Sequence, residues 1–256
     1  MLTQYVITHK KINLKNQNKK KKLLLVGAYK QEKGDFNNYS FDDCGDNISK
    51  KNENYCELTG LYYIWKNDKS DFVSFEHYRR FFVKKQSFFK YTFLDEEQMI
   101  ADLRDNDIIL PTPLASLSRN SLFDSYVKFQ TGGDIILLKK IIEDNYPDYL
   151  PFFISELEKK NYASFFNMFI TSKNILNQYC EWLFSLFDIL SSKISLDGRS
   201  DYEKRVFGFL SERLINVWVK KNKLRIKYRN VVNVDKSPLE NKIFFLRRYL
   251  KRKDLK

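Results

Sequence analysis

DFVSFEHYRRFF, residues Asp71 to Phe82, decides the fold. Its apolar run Phe72-Val73-Ser74-Phe75 has the length of a buried strand, and the exit carries Glu76, His77, Tyr78, Arg79 and Arg80. In open α/β sheets, ligands bind outside the carboxyl ends of the strands. Two adjacent arginines there, beside a histidine, suit a diphosphate, because guanidinium forks match phosphate oxygens bidentately. The plainer reading is a strand running into a solvated basic turn. The His77-Tyr78 pair between strand and arginines favours a site.

Outward from this strand, helical and extended patterns alternate. Before it come the short β-like runs Gln4 to Thr8 and Leu23 to Ala28, separated by a polar loop from Lys11 to Lys22. Glu53 to Lys66 places Tyr55, Leu58, Leu61, Tyr62 and Trp65 at helical spacing, with Ser49 or Asn52 as the cap. After it, Asp95 to Arg104 reads as a helix and Asp107 to Pro111 as a strand. Amphipathic helices are expected over Asp134 to Asp144 and Leu150 to Lys160, with Pro147 between them. Ser164 to Ile170 is strand-like, Asn174 to Leu190 and Tyr202 to Lys220 are helical, and Lys227 to Val234 is a last strand. This alternation predicts an α/β fold with a mostly parallel sheet flanked by helices and a helical C-terminal part. Residues 1–235 form the main domain, and 236–256 form a basic amphipathic tail.

Composition bounds the function. The chain has 256 residues, 43% hydrophobic and 16% aromatic, enough for a sizeable globular core. Forty-five Lys and Arg against 32 Asp and Glu give a net charge of +13, which calls for an anionic partner. Nucleic acid, an anionic membrane and nucleotide phosphates all qualify. Cys44, Cys56 and Cys180 fit no zinc spacing and no even disulfide framework, so a reducing compartment is expected. The residues after Met1 show no secretory signal, and no apolar run is long enough to span a bilayer. The expectation is a cytoplasmic protein.

Several blocks carry a family resemblance. In order they are THK at Thr8–Lys10, VGAYK at Val26–Lys30, and GDNISKKNENYCELTGLYYIWKN at Gly45–Asn67. EHYRRFF at Glu76–Phe82, DIILPTP at Asp107–Pro113 and FNMFI at Phe166–Ile170 follow, then YCEWLF at Tyr179–Phe184 and GFLSERLINVW at Gly208–Trp218. With these blocks the chain resembles a bacterial capsular and exopolysaccharide biosynthesis family, catalogued as a domain of unknown function and assigned to glycosyltransferases. Family members approach the HYRR motif through Gly-rich or Leu-rich sequence; here Ser74-Phe75-Glu76 stands there and the motif itself is intact. The resemblance implies a GT-A-like, Rossmann-type fold. It also implies transfer of a sugar from a UDP-sugar, galactofuranose or galactose in some relatives, to a growing cell-surface polysaccharide or lipid-linked glycan acceptor.

Within that frame the residues take roles. An inverting transferase must neutralise a departing diphosphate and deprotonate an acceptor hydroxyl. Arg79 and Arg80 take the first task, with His77 beside them, in place of the metal that an Asp-x-Asp motif holds in many relatives of this fold. No cofactor is called for on this reading, while Mn2+ or Mg2+ stays open. Asp105-Asn106-Asp107 has the literal metal-binding spacing, but it precedes its strand, so a capped turn explains it better. His9 and Lys10 are candidates for base and ribose. Asn47, Asn52 and Glu57 fall around a helix start where unpaired N–H groups favour an anion or a polar sugar. Asn167, inside an apolar strand-like run, needs a partner for its amide, which a sugar or the backbone can supply. Glu212 is the chosen general base, oriented by Arg213, with Asp46 and Glu76 as rivals and Arg205 as a further phosphate ligand. An internal Glu212–Arg213 salt bridge is the plainer account.

Lys242 to Lys256 interleaves basic residues with Ile243, Phe244, Phe245, Leu246, Tyr249 and Leu250. Such a segment suits an anionic membrane surface, placing the protein at the inner face of the cell membrane. A basic helix packed on the domain is the alternative. A nucleic-acid-binding protein and a non-catalytic adaptor of a polysaccharide-synthesis complex are the competing functions. No nucleic-acid motif is present and the basic residues are spread through the chain, so no nucleic-acid partner is expected.

Overall fold

The computed structural model describes residues 1–12, 21–116, 118 and 120–255. Most of the loop expected over Lys11 to Lys22, and the terminal Lys256, lie outside these residues. The strands are β1 (Leu2–Thr8), β2 (Lys22–Leu25), β3 (Tyr39–Phe41), β4 (Phe72–His77), β5 (Arg80–Gln86) and β6 (Tyr91–Phe93). They continue with β7 (Ile108–Pro111), β8 (Leu114–Ala115), β9 (Tyr162–Ala163), β10 (Phe169–Ser172) and β11 (Ile226–Asn233). The helices are α1 (Asn52–Tyr55), α2 (Leu58–Asn67), α3 (Glu96–Asp105), α4 (Leu122–Phe129), α5 (Gly132–Asn145), α6 (Leu150–Phe153), α7 (Lys173–Ser191), α8 (Val206–Lys221) and α9 (Pro238–Tyr249).

Nine strands form one sheet in the order β3-β2-β1-β4-β10-β7-β11-β5-β6, and β8 pairs with β9 in a small ribbon. The α/β class holds, but the expected mostly parallel sheet is mixed. β3, β2, β1 and β4 run parallel, as do β7 and β11. β10 lies antiparallel to both β4 and β7, and β5 antiparallel to β11 and β6. The reasons are connective. Only Tyr78 and Arg79 separate β4 from β5, and so short a turn can join antiparallel strands only. β10 starts opposite Phe75, at the carboxyl end of β4, and must run back along it.

Alternation across the pleat sends apolar residues to two layers. Ile108 and Leu110 of β7 face the larger core with Leu61, Leu138, Leu183, Leu214 and Trp218, built mainly by α2, α5, α7 and α8. Ile109, with Ile170 and Phe82, faces the smaller core, where Met99 of α3 packs. Two buried ion pairs tie helices and loops to this frame. Arg229 of β11 grips Asp102 of α3 at 2.7 and 2.6 Å, and Arg199 grips Asp134 of α5 at 2.6 and 2.9 Å.

Three expectations are corrected at the element level. The helix expected over Glu53 to Lys66 is broken at Cys56, whose φ of 53° ends α1 before α2 begins. Asn52 bridges that break, its amide donating to the Cys56 carbonyl at 2.8 Å and the Thr59 hydroxyl at 3.0 Å, and neither Ser49 nor Asn52 caps a helix. Ser164 to Ile170 is mostly a bend, with positive φ at Phe166 (82°) and Asn167 (49°), and the strand starts only at Phe169. Leu150 to Lys160 is one short α-turn followed by a π-helical turn over Ile154–Glu158.

The C-terminal segment is packed on the domain. α9 opens with a capping box between Ser237 and Glu240, buries Asn241, and turns Phe244 and Phe245 towards the main core. Arg248 donates to the Ala115 carbonyl of β8 at 2.6 Å, and beyond the helix Lys253 and Asp254 bond to Asn161 and Tyr162. No described helix is long and apolar enough to cross a membrane.

Candidate active site

The carboxyl ends of β1 and β4 open onto a cleft of about 670 Å³. Six pieces of chain line it, two of them giving only Val26 and Lys30 after β2 and Phe166 before β10. β1 delivers Thr8 and His9, and the β4–β5 hairpin delivers His77, Tyr78, Arg79 and Arg80. The α1–α2 break delivers Asn52, Cys56 and Glu57, while the approach to α8 and its first turns deliver Lys204, Arg205, Phe209 and Glu212. Gly27, with φ 66°, holds the turn after β2 against Asn52; a Cβ there would lie 2.6 Å from Asn52 Oδ1. Buried Asp42 fixes this turn by accepting from the Gly27 and Ala28 amides and the Ser49 hydroxyl.

The lining is rich in cations. Arg80 lies over the Phe166 ring at 4.6 Å, and Arg79 over the Tyr78 ring at 5.5 Å. The buried Nε of Arg79 has no partner among the described residues. His9 meets Tyr78 edge-on at 5.2 Å, and its pKa is lowered, first by desolvation and then by the cations Lys10, Arg79 and Arg205. Lys204 and Arg205 immediately precede the N-terminus of α8, where the helix dipole already favours an anion. Cations crowded against one another and against a helix N-terminus are stabilised by an anion bound among them.

Two carboxylates, Glu212 and Glu57, stand within charge reach of Arg80 and Arg205. Glu212 sits half-buried at the cleft wall; desolvation, then the charge of Glu57, pushes its carboxyl up to about 7, against the pull of Arg213 and Arg80. Glu57 accepts from Asn167 Nδ2 at 2.7 Å, and the same amide donates to the Gly208 carbonyl of α8 at 3.1 Å. Asn167 therefore stands behind the cleft and ties three pieces of its wall together. The consecutive left-handed residues Phe166 and Asn167 make that reach possible, and strain of this kind in non-glycine residues gathers at functional sites. His77 completes the floor. Its Nε2 is buried without a partner among the described residues, and desolvation, foremost, lowers its pKa, so it is neutral at physiological pH.

His9, Asn52, Glu57, His77, Arg79, Arg80 and Glu212 thus come together from four distant segments, with Arg205 beside them. Others do not line the cleft. Arg213 points away, donating to the Phe209 carbonyl at 2.8 Å and lying 4.9 Å from the Tyr126 ring centroid. Asn47 closes its own turn between Gly45 and Ser49. Lys10 holds its ammonium 5.0 Å from the Tyr78 ring centroid and is not part of the lining. Of the rival bases, Glu76 is fully buried, paired with Lys21 and accepting from Phe82 N, and Asp46 accepts from Tyr62 outside the cleft. Asp107 is engaged by Arg225 at 2.8 Å, so the Asp-x-Asp spacing serves a turn. No cluster of three or more His, Cys, Asp or Glu that could hold a metal exists among the described residues.

Sequence reasoning missed Lys204, Cys56 and Phe166. Lys204 had a signal: with Arg205 it puts two cations before a helix start, against the usual charge preference. Cys56 and Phe166 had none, since their backbone conformations are ordinarily those of glycine or asparagine.

Residues 3–223 match the family described as Domain of unknown function (DUF4422). The chain belongs to the DUF4422 family. No curated protein matches it. Among solved structures, the apo structure of WbbM, a bifunctional glycosyltransferase, superposes with a TM-score of 0.80 at 31% sequence identity. That alignment covers 92% of this DUF4422 chain and 46% of the WbbM chain, so the chain spans about half the length of the solved structure it matches. The fold is therefore shared over the aligned part.

Proposed function

We propose that the protein is a glycosyltransferase of GT-A-like fold that takes a sugar from a UDP-sugar and passes it to a hydroxyl of a cell-surface glycan. One observation carries the reading: one cleft at the strand ends brings a cation cluster together with a carboxyl group poised near neutrality. The likeness to a bifunctional glycosyltransferase points the same way.

In the proposed reaction an acceptor hydroxyl attacks the anomeric carbon, and the bond from that carbon to the diphosphate oxygen breaks. Arg79, Arg80, Arg205 and Lys204 receive the charge that develops on the leaving diphosphate. Glu212, ionised, takes the hydroxyl proton, as an inverting transfer requires. Neutral His77 offers a ring nitrogen to a sugar or phosphate oxygen. Glu57, held by Asn167, orients a donor hydroxyl and, by its charge, tunes Glu212. No carboxylate cluster is needed for the diphosphate, because the protein's own cations do that work.

A thermal-shift panel of nucleotide sugars tests this, including both ring forms of UDP-galactose, each with EDTA or manganese. Donor-selective stabilisation that persists in EDTA is the expected result. Stabilisation seen only with manganese would overturn the arginine assignment, and none from any donor would overturn the transferase.

A further inference from the structure

The β5–β6 hairpin ends in a tight turn, Ser87-Phe88-Phe89-Lys90, closed by the Ser87 amide on the Lys90 carbonyl at 2.8 Å. The Ser87 hydroxyl accepts from the Phe89 and Lys90 amides at 3.3 and 3.1 Å, so the backbone of the tip is satisfied internally. Turns favour Gly, Asn, Asp, Pro and Ser at such positions. Here both central residues are phenylalanines, 44% and 91% exposed. Neither ring belongs to a core cluster among the described residues.

The surroundings are basic. Lys85 and Lys90 flank the tip, and the ammonium of Lys242 on α9 lies 6.0 Å from the Phe88 ring centroid. Leu239, half exposed, sits one helical turn before Lys242 and shares its face. Lys85, Lys90 and Lys242 have no carboxylate partner among the described residues. By contrast Phe244 and Phe245 are turned to the core. The exposed apolar surface at this end of the molecule therefore belongs mainly to the hairpin, with α9 supplying charge.

We infer that the Phe88–Phe89 hairpin tip, ringed by Lys85, Lys90 and Lys242, inserts into the interfacial region of an anionic lipid bilayer. Aromatic rings enter the headgroup boundary while lysines meet the anionic surface, and each cation near that surface adds attraction. Charge complementarity argues for lipid over a second copy of this basic chain, since two such patches repel. The inference does not depend on the transferase reading.

The test is flotation of the full chain with phosphatidylcholine vesicles, with and without phosphatidylglycerol, at physiological salt. Wild type should float only with the anionic vesicles. Phe88→Ser/Phe89→Ser should weaken partitioning by at least about tenfold, with an unchanged melting temperature and the wild-type response to UDP-sugar donors. Lys85→Glu/Lys90→Glu/Lys242→Glu should do the same through charge. The inference is overturned if wild type ignores anionic vesicles or the double serine variant floats like wild type. Dimers in sedimentation that the serine variant abolishes, without vesicle binding, would instead assign the patch to self-association. Donor stabilisation read in the same samples separates failure of the membrane surface from failure of the transferase.

Discussion

Glu212 can accept a proton only when ionised, and its surroundings hold it at about 7. Turnover should therefore rise with pH through about 7 and level off above. Glu212→Gln should lower kcat by about 10²- to 10⁴-fold and leave donor affinity unchanged; retained turnover would remove the base. The same group makes a stability prediction of defined sign. Its folded value lies above its ordinary 4.5, so folding favours the neutral form. That contribution is complete below the unfolded value and lost as pH climbs through the folded one. Glu212→Gln should thus gain melting temperature relative to wild type in mild alkali and not in acid. Arg79→Ala and Arg80→Ala should each weaken a nucleoside diphosphate by roughly 10- to 100-fold and the bare nucleoside far less, as calorimetry would read. At this scale the HYRR arginines and Glu212 were legible, because strand exits and charges on apolar helix faces are local signals. Asn167 was legible as a residue needing a partner, but the partner, Glu57, lies 110 positions away.

At the scale of elements, the cleft depends on turns that bring backbone close to side chain. Gly27 has a left-handed φ and no room for a methyl beside Asn52. Gly27→Ala should destabilise the fold by about 1–3 kcal/mol, measured by urea unfolding, and should loosen donor binding through Asn52 and the α1–α2 break. Helix α8 approaches that break through Gly208, where an added Cβ would stand 3.2 Å from Cys56 Sγ. Helices α5, α7 and α8 were readable from their apolar spacing. The breaks at Cys56 and at Phe166–Asn167 were not, since tertiary contacts impose positive φ on Cys56 and Phe166, which carry no local preference for it, and a lone Asn167 does not mark a bend. In α9 the apolar and basic residues could be read, but which rings face the core depends on β8 and β11.

Across the whole molecule, the Asp102–Arg229 pair locks α3 to the sheet from the side opposite the main core. Asp102 is 5% and Arg229 18% exposed at the side chain, so removing the cation strands a carboxylate. Arg229→Ala should cost about 3–5 kcal/mol, seen as a lower urea midpoint, while cleft ligands still bind the folded fraction. The α/β class was legible from alternating patterns, but strand order and direction were not. Pairing is settled by contacts far apart in sequence, and a four-residue strand reads the same in either direction. β10 has a consequence for synthesis. It sits at the centre of the sheet yet leaves the ribosome some 60 residues after β7 and nearly 100 after β4, its two neighbours. Until it arrives, both neighbours show open apolar edges, the condition under which nascent chains mispair. A chain stalled between α5 and β10 holds seven of the sheet's nine strands with nothing to join β4 to β7, and is the species a cell's chaperones must cover.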